Sequence, residues 1–261
     1  MTARIHPTAI VDPKAELHET VEVGPYSIIG PGVTVGADTW IGPHVVLRGP
    51  MTIGRGNKIF QFASLGEISQ DMTAKPDDPT RVEIGDGNTI REYVTIQRGT
   101  MKERDGLTKV GDRNWIMAAV HIGHDSIVGS HNILANNTSL AGHVLLGDYV
   151  GCGGYTLIHQ YCQIGNHVFT GGGSVITRDV LPFIMVQGHP AEARGINAEG
   201  LRRRGFAAED VAAIKDAYKL VFLSGQTMDK VKQELAQMAS ASAHVAYMLA
   251  FINGSKRALQ R

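Results

Sequence analysis

The sequence predicts a mainly β fold, a parallel β-helix over residues 1–190 followed by a small α-helical domain over 191–261. Three observations carry that expectation. An aliphatic residue recurs every six positions through most of the first 180 residues. Glycine occurs 31 times in 261 residues while aromatics make up only 6%, against a usual glycine share of about 7%. The repeat stops after Pro182, and helical periodicity takes its place.

From Ile5 the hexads begin at Ile5, Val11, Leu17, Val23, Ile29, Val35, Ile41, Leu47, Ile53, Ile59 and Leu65. The register breaks at 71–83, resumes at Ile84, Ile90 and Ile96, breaks again at 100–109, and then runs from Val110 to Ile176. Of 26 first positions, 24 are aliphatic; Cys152 and Thr170 are the others. A period of six matches neither an amphipathic helix nor a two-sided strand. It matches a coil in which each hexad is a short strand plus a turn, and neighbouring coils bury each other's apolar face. Three hexads per coil place residues 18 apart in one column, with rungs about 4.8 Å apart. Almost nine coils then make a prism roughly 40 Å long. Stacked aliphatics fill its interior, where rings do not fit. Glycine holds the second position of 14 hexads, which is expected to be a corner requiring φ > 0. The fifth position is small or β-branched, as in Ser27, Val33, Thr39, Ser126, Thr138 and Val144. The two breaks are expected to be loops extruded from corners, where function tends to reside.

In the tail, 207–224 places Val211, Ile214, Tyr218, Val221 and Phe222 on one helical face. Residues 227–239 repeat the pattern with Val231, Leu235 and Met238, and Thr227 stands where an N-cap is needed. A third apolar segment covers 242–252. Lys plus Arg and Asp plus Glu balance at 25 each, but the tail carries 11 against 7, or +4, leaving −4 on the repeats. A neutral chain argues against a dedicated binder of nucleic acid or anionic membrane. No run approaches the roughly 20 apolar residues of a membrane span, and the start lacks a signal-peptide hydrophobic region. A cytoplasmic protein is the expectation. Cys152 and Cys162 are too few for a disulfide scaffold and lack metal-type spacing, so both read as core packing.

Five of the 11 histidines fall within residues 121–159, and four of them, His121, His124, His143 and His159, are expected along one edge. The column rule stacks His124, Gly142 and Gln160 on successive coils, with His143 and His159 beside that column. Asp125 follows His124 and can fix its tautomer if a corner turns both side chains the same way. His6, His18, His44, His131, His167 and His244 read as surface or packing residues. Three chemistries stay open on these residues. A histidine base with a glycine N–H for an oxyanion suits acyl transfer to a hydroxyl. Three histidines around zinc, with one position free, suit hydration or hydrolysis. A structural solenoid needs no chemistry at all. Gly171, Gly172 and Gly173 follow no nucleotide fingerprint and suit close approach of a ligand or neighbouring chain.

Beyond the hexads, the segments I-R-E-Y-V-T-I (90–96), L-T-K-V-G (107–111), H-I-G-H-D (121–125), I-L-A-N-N (133–137), L-A-G-H-V (140–144), I-H-Q (158–160) and E-G-L-R-R-R-G-F (199–206) form a specific set. Together they resemble the UDP-N-acetylglucosamine O-acyltransferases, within the left-handed β-helix acyltransferases, over essentially the whole chain. The resemblance implies the first step of lipid A biosynthesis. It implies that His124 is the general base, oriented by Asp125, and takes the proton of the sugar 3-hydroxyl. The oxygen then attacks the thioester of a 3-hydroxyacyl group held on the phosphopantetheine arm of acyl carrier protein, with no acyl-enzyme, no other cofactor and no metal. The Gly142 N–H is the implied oxyanion donor. His121, His143, His159 and Gln160 are implied to line the cleft, and Gln70, Asp71, Asn197, Glu199, Arg203 and Arg204 to contact the sugar nucleotide. Arginine suits a pyrophosphate because its planar fork binds two oxygens. The basic tail suits an acidic carrier protein, with Arg202 as a contact. The resemblance also implies a homotrimer with sites between subunits, which sets the histidine stripe against a neighbouring chain.

The chain departs from the family's pattern at several positions. Thr73 stands where the family has a lysine, Lys75 comes later, and Gln97 replaces a histidine. Gly172 falls at the position that sets acyl-chain length, implying a medium-to-long chain, and His189 lies near the segment that ends the acyl groove. A sister enzyme N-acylates a later glucosamine intermediate, but it carries a globular domain ahead of its repeats, whereas these hexads start at Ile5. A trimeric zinc hydratase is a more distant alternative.

Overall fold

Most hexads fold into a strand of two or three residues and a turn, as in Trp40–Ile41, Val46–Leu47 and Met51–Ile53. The computed structural model describes residues 4–102 and 104–260. The strands stack into three sheets of 11, nine and eight members. All the pairings between coils are parallel, and away from the two inserted loops nearly all join residues 18 apart, for example Ile122 beside Leu140, Leu140 beside Ile158 and Ile158 beside Ile176. The result is the expected left-handed parallel β-helix. First positions are buried from Val23 onward, with Ile41, Leu47, Ile59 and Ile122 fully inaccessible. One fifth-position column is an asparagine ladder. The backbone N–H groups of Asn88, Asn114 and Asn132 each donate to the side-chain oxygen of the asparagine one coil back, at 2.8–2.9 Å. That satisfies buried polar groups which would otherwise be costly.

The corners correct the expected role of glycine. Among the second-position glycines only Gly66 has a positive φ. The others sit where the next coil crosses: a Cβ on Gly36 would lie 2.8 Å from the Gly54 carbonyl carbon, and one on Gly24 2.7 Å from that of Gly42. Close approach of backbones, rather than turn geometry, excludes a side chain there. Positive φ falls instead on the fourth position, at Tyr26, His44, Phe62, Tyr93, Asp125, His143 and Tyr161 among others. This left-handed residue throws its side chain outward, so rings kept out of the prism stack along its edges. Tyr26, His44, Phe62 and Tyr93 form one such ladder, with centroids 5.1–5.4 Å apart. His131, Tyr149, His167 and Phe183 form another at 4.8–5.6 Å.

The register breaks lie two to three residues earlier than expected. Arg81–Ile84 and Leu107–Val110 are four-residue strands paired along their whole length, with Val82 and Thr108 turned into the core. The extruded segments are therefore 68–80 and 98–106. Both leave the same edge of the prism as His124 and Asp125, the first loop two coils and the second one coil before them.

After the last coil, Ile184–Gly188 and Ala191–Ile196 form an antiparallel hairpin that extends the 11-stranded sheet. It spans the expected division at 190/191. Four helices follow: α1 (Ala198–Arg203), α2 (Ala208–Phe222), α3 (Met228–Ala239) and α4 (Ala243–Gly254). The last three lie where the apolar periodicity places them. Thr227 holds the N-cap position of α3 without a side-chain capping bond, whereas Ser242 caps α4 by accepting from the Val245 N–H. Among the described residues no helix is long and apolar enough to cross a membrane. Cys152 and Cys162 are buried and unbonded. Burial pushes their thiols up to about 12 and about 11, which leaves no nucleophilic thiolate.

Candidate active site

Asp125 occupies a fourth position with φ 59°. That left-handed turn brings its side chain to the same side as its neighbour's, which an extended backbone would not do. His124 Nδ1 donates to Asp125 Oδ2 at 2.8 Å. Asp125 is fully buried, while the His124 ring is 18% exposed. Burial raises the Asp125 carboxyl, but hydrogen bonds from His124 and from the backbone and hydroxyl of Thr100, with the charge of His143, outweigh it and hold the group below its ordinary value. The carboxylate is ionised and can only accept, so the His124 proton sits on Nδ1 and Nε2 keeps its lone pair.

Gly142 lies one coil below. A Cβ there would come within 2.4–2.5 Å of His124 Cε1 and Nε2, so the imidazole occupies the space that glycine leaves open. Among the described residues the Gly142 N–H meets no protein acceptor. The His124 ring and an available backbone donor thus lie side by side. His143 crosses the His124 ring at right angles, centroids 5.0 Å apart, and stacks on Tyr161 at 4.4 Å.

The three-histidine set expected for zinc does not assemble among the described residues. His124, Asp125 and His143 present ligand atoms within 4.8 Å of one another. Within that group His124 Nδ1 donates to Asp125 Oδ2, which also accepts from the Thr100 hydroxyl. His121 Nδ1 bonds Thr95 Oγ1 at 2.8 Å and His159 Nδ1 bonds the Gln160 carbonyl at 3.1 Å, so neither joins the cluster. Burial, and then the charge of His124, lowers the His121 pKa and favours the neutral ring.

The remaining candidates divide between corners. Gln70 and Asp71 lie on the first extruded loop, beside the dyad: the Gln70 N–H donates to Gln97 Oε1 at 3.2 Å. Asp71 accepts from Thr73 and from Lys102 Nζ at 2.6 Å, and these bonds, that of Lys102 foremost, hold its carboxyl well below the usual range. The cation at Asp71 thus comes from the second loop, 31 residues on, and not from Lys75. Asn197, Glu199, Arg203 and Arg204 gather around α1 on another corner. Asn197 caps α1 and donates to the His167 carbonyl at 2.9 Å, while Glu199 pairs with Arg202 and Arg203. Arg204 stacks 4.3 Å above Tyr149. Burial, with the charges of Arg204 and His244, pushes His167 down to about 4, so it packs there as a neutral ring.

The third corner carries Gly172, where an added Cβ would meet only the Gly154 carbonyl oxygen at 3.5 Å. His189 is exposed at the hairpin tip, near Gln187, which lies against Gly171. Between this corner and the dyad runs a groove of about 390 Å³, lined by His121, Ser139, Leu157, His159, Val175 and Thr177.

Fold and site together define a hexapeptide-repeat acyltransferase. Residues 107–142 match the bacterial transferase hexapeptide model, and 179–260 match UDP N-acetylglucosamine O-acyltransferase, domain 2. The chain belongs to the acyl-[acyl-carrier-protein]–UDP-N-acetylglucosamine O-acyltransferase family. It is 52% identical to the enzyme of that name from Stutzerimonas stutzeri, over 98% of this chain and 99% of that one. It is also 52% identical to that from Halorhodospira halophila, over 99% of both. The UDP-N-acetylglucosamine acyltransferase of Francisella novicida superposes with a TM-score of 0.96 at 38% identity, covering 98% and 94% of the two chains. That of Moraxella catarrhalis does so with a TM-score of 0.96 at 42% identity, covering 98% and 99%.

Proposed function

We propose that this chain transfers a 3-hydroxyacyl group from acyl carrier protein to the 3-hydroxyl of UDP-N-acetylglucosamine, opening lipid A biosynthesis in the cytoplasm. The observation that carries the mechanism is the His124–Asp125 dyad set against the Gly142 N–H. His124 Nε2 takes the hydroxyl proton as the sugar oxygen attacks the thioester carbonyl. The Gly142 N–H donates to the oxyanion that develops, a role worth most where the donor is preorganised. Collapse expels the phosphopantetheine thiolate, which recovers the proton from His124. No acyl-enzyme forms and no further cofactor is needed.

The sugar-nucleotide residues of one chain sit on two corners, Gln70 and Asp71 beside the dyad and the α1 group elsewhere. This division supports a homotrimer in which one chain's dyad corner faces its neighbour's α1 corner, with Arg202 toward the carrier. The apolar groove suits the acyl chain, and the open space at Gly172 suits a long one.

One experiment tests chemistry and chain length together. Chelator-treated, metal-free protein is assayed with UDP-N-acetylglucosamine and ten- or fourteen-carbon 3-hydroxyacyl carrier thioesters. Full activity, with the fourteen-carbon donor used at least as well, is expected. Loss of activity along with stoichiometric zinc would favour a hydratase-type site instead. A strong preference for the ten-carbon donor would refute the chain-length assignment.

A further inference from the structure

The buried side of the dyad is gripped by the second extruded loop. The Thr100 N–H donates to both Asp125 oxygens, at 3.0 and 3.1 Å, and its hydroxyl donates to Oδ2 at 2.7 Å. Oδ2 is the same oxygen that accepts from His124. Thr100 is 2% exposed and Asp125 not at all, so these bonds form away from water, where a bond to a charged acceptor is strongest. The loop is pressed onto the carboxylate: a Cβ on Gly99 would lie 2.7 Å from Asp125 Oδ1. Two residues beyond Thr100, Lys102 reaches Asp71 on the first loop. One short segment therefore touches both the dyad and the loop assigned to the sugar nucleotide.

We propose that Thr100 is a positioning residue for the reaction, fixing the Asp125 carboxylate so that His124 presents Nε2, with Lys102 tying the same segment to Asp71. The assignment rests on His124 being the base. The sharing of Oδ2 between the Thr100 hydroxyl and His124 makes the inference specific. While the Thr100 hydroxyl donates there, less electron density is left for the Nδ1–H of His124. Removing the hydroxyl leaves more of Oδ2 to the Nδ1–H of His124 and favours the imidazolium formed as the proton is taken. The other titratable groups near that ring, His121 and His143, stay in place.

The test compares Thr100→Val, which keeps the shape, with Thr100→Ser, which keeps the hydroxyl, in the full-length protein. Thr100→Val is expected to lower kcat by about 10- to 100-fold and to move the acid limb of the kcat/KM profile upward by roughly half a pH unit or more. KM for UDP-N-acetylglucosamine should change less than about twofold, since only orientation of the base is lost. Thr100→Ser should recover most of the activity and the wild-type acid limb. An unchanged kcat and acid limb in Thr100→Val would overturn the assignment, as would a loss that serine does not rescue. Thr100→Ala serves in place of valine if the latter does not fold. His124→Ala, assayed alongside, separates the two ideas: if it stays active, the base assignment itself has failed.

Discussion

Replacing His124 by alanine is expected to lower kcat by about 10²- to 10⁴-fold, the range a positioned general base supplies. KM for the sugar nucleotide should change little, because the ring acts on a proton that moves only in the transition state. The fold should survive. His124 projects from a corner, outside the aliphatic stack, so the thermal midpoint should move by no more than about 3 °C. The measurement is steady-state kinetics beside thermal unfolding. A folded His124→Ala enzyme with near wild-type kcat contradicts the assignment.

Gly142→Ala is expected to cost at least about 10²-fold in kcat, the scale of losing one oxyanion donor. The geometry makes the effect local. An added Cβ meets the His124 ring at 2.4–2.5 Å, and that ring can swing away, taking the base out of line and crowding the N–H. At Gly36 the same methyl would meet backbone atoms of the next coil at 2.8–3.0 Å, which cannot swing, so the cost there falls on stability. Gly142→Ala should therefore be inactive with an almost unchanged thermal midpoint, and Gly36→Ala should melt earlier. Retained kcat in Gly142→Ala, or a collapse of its stability, would show that Gly142 is a packing residue instead.

The interior and the column of His124 and Gly142 were legible because the repeat is a coordinate system. Ile122, Leu140 and Ile158 share a column by counting alone, and the same count stacks His124 over Gly142. The count does not fix the backbone region of each position. Glycine at the second position was read for conformational freedom when its reason is the coil passing beside it. The left-handed residue proved to be the fourth, which is what turns Asp125 toward His124. Where the register breaks, the count has nothing to say. Lys102 reaches Asp71 across 31 residues and Thr100 reaches Asp125 across 25, both through extruded loops. The short helix α1 escaped for another reason: six residues with Leu201 as their single buried side chain carry no periodicity.

Direct transfer between two bound substrates is the core of the proposed mechanism, and mass analysis of a single-turnover reaction tests it most directly. The enzyme, in excess, is mixed with a 3-hydroxyacyl carrier thioester and UDP-N-acetylglucosamine, quenched over time, and both protein and nucleotide products are identified. The expected result is a UDP-N-acetylglucosamine carrying one 3-hydroxyacyl ester on its 3-oxygen, with the enzyme's mass unchanged at every time point. An acylated enzyme that forms and decays on the way to product, or no acylated sugar nucleotide at all, would contradict it.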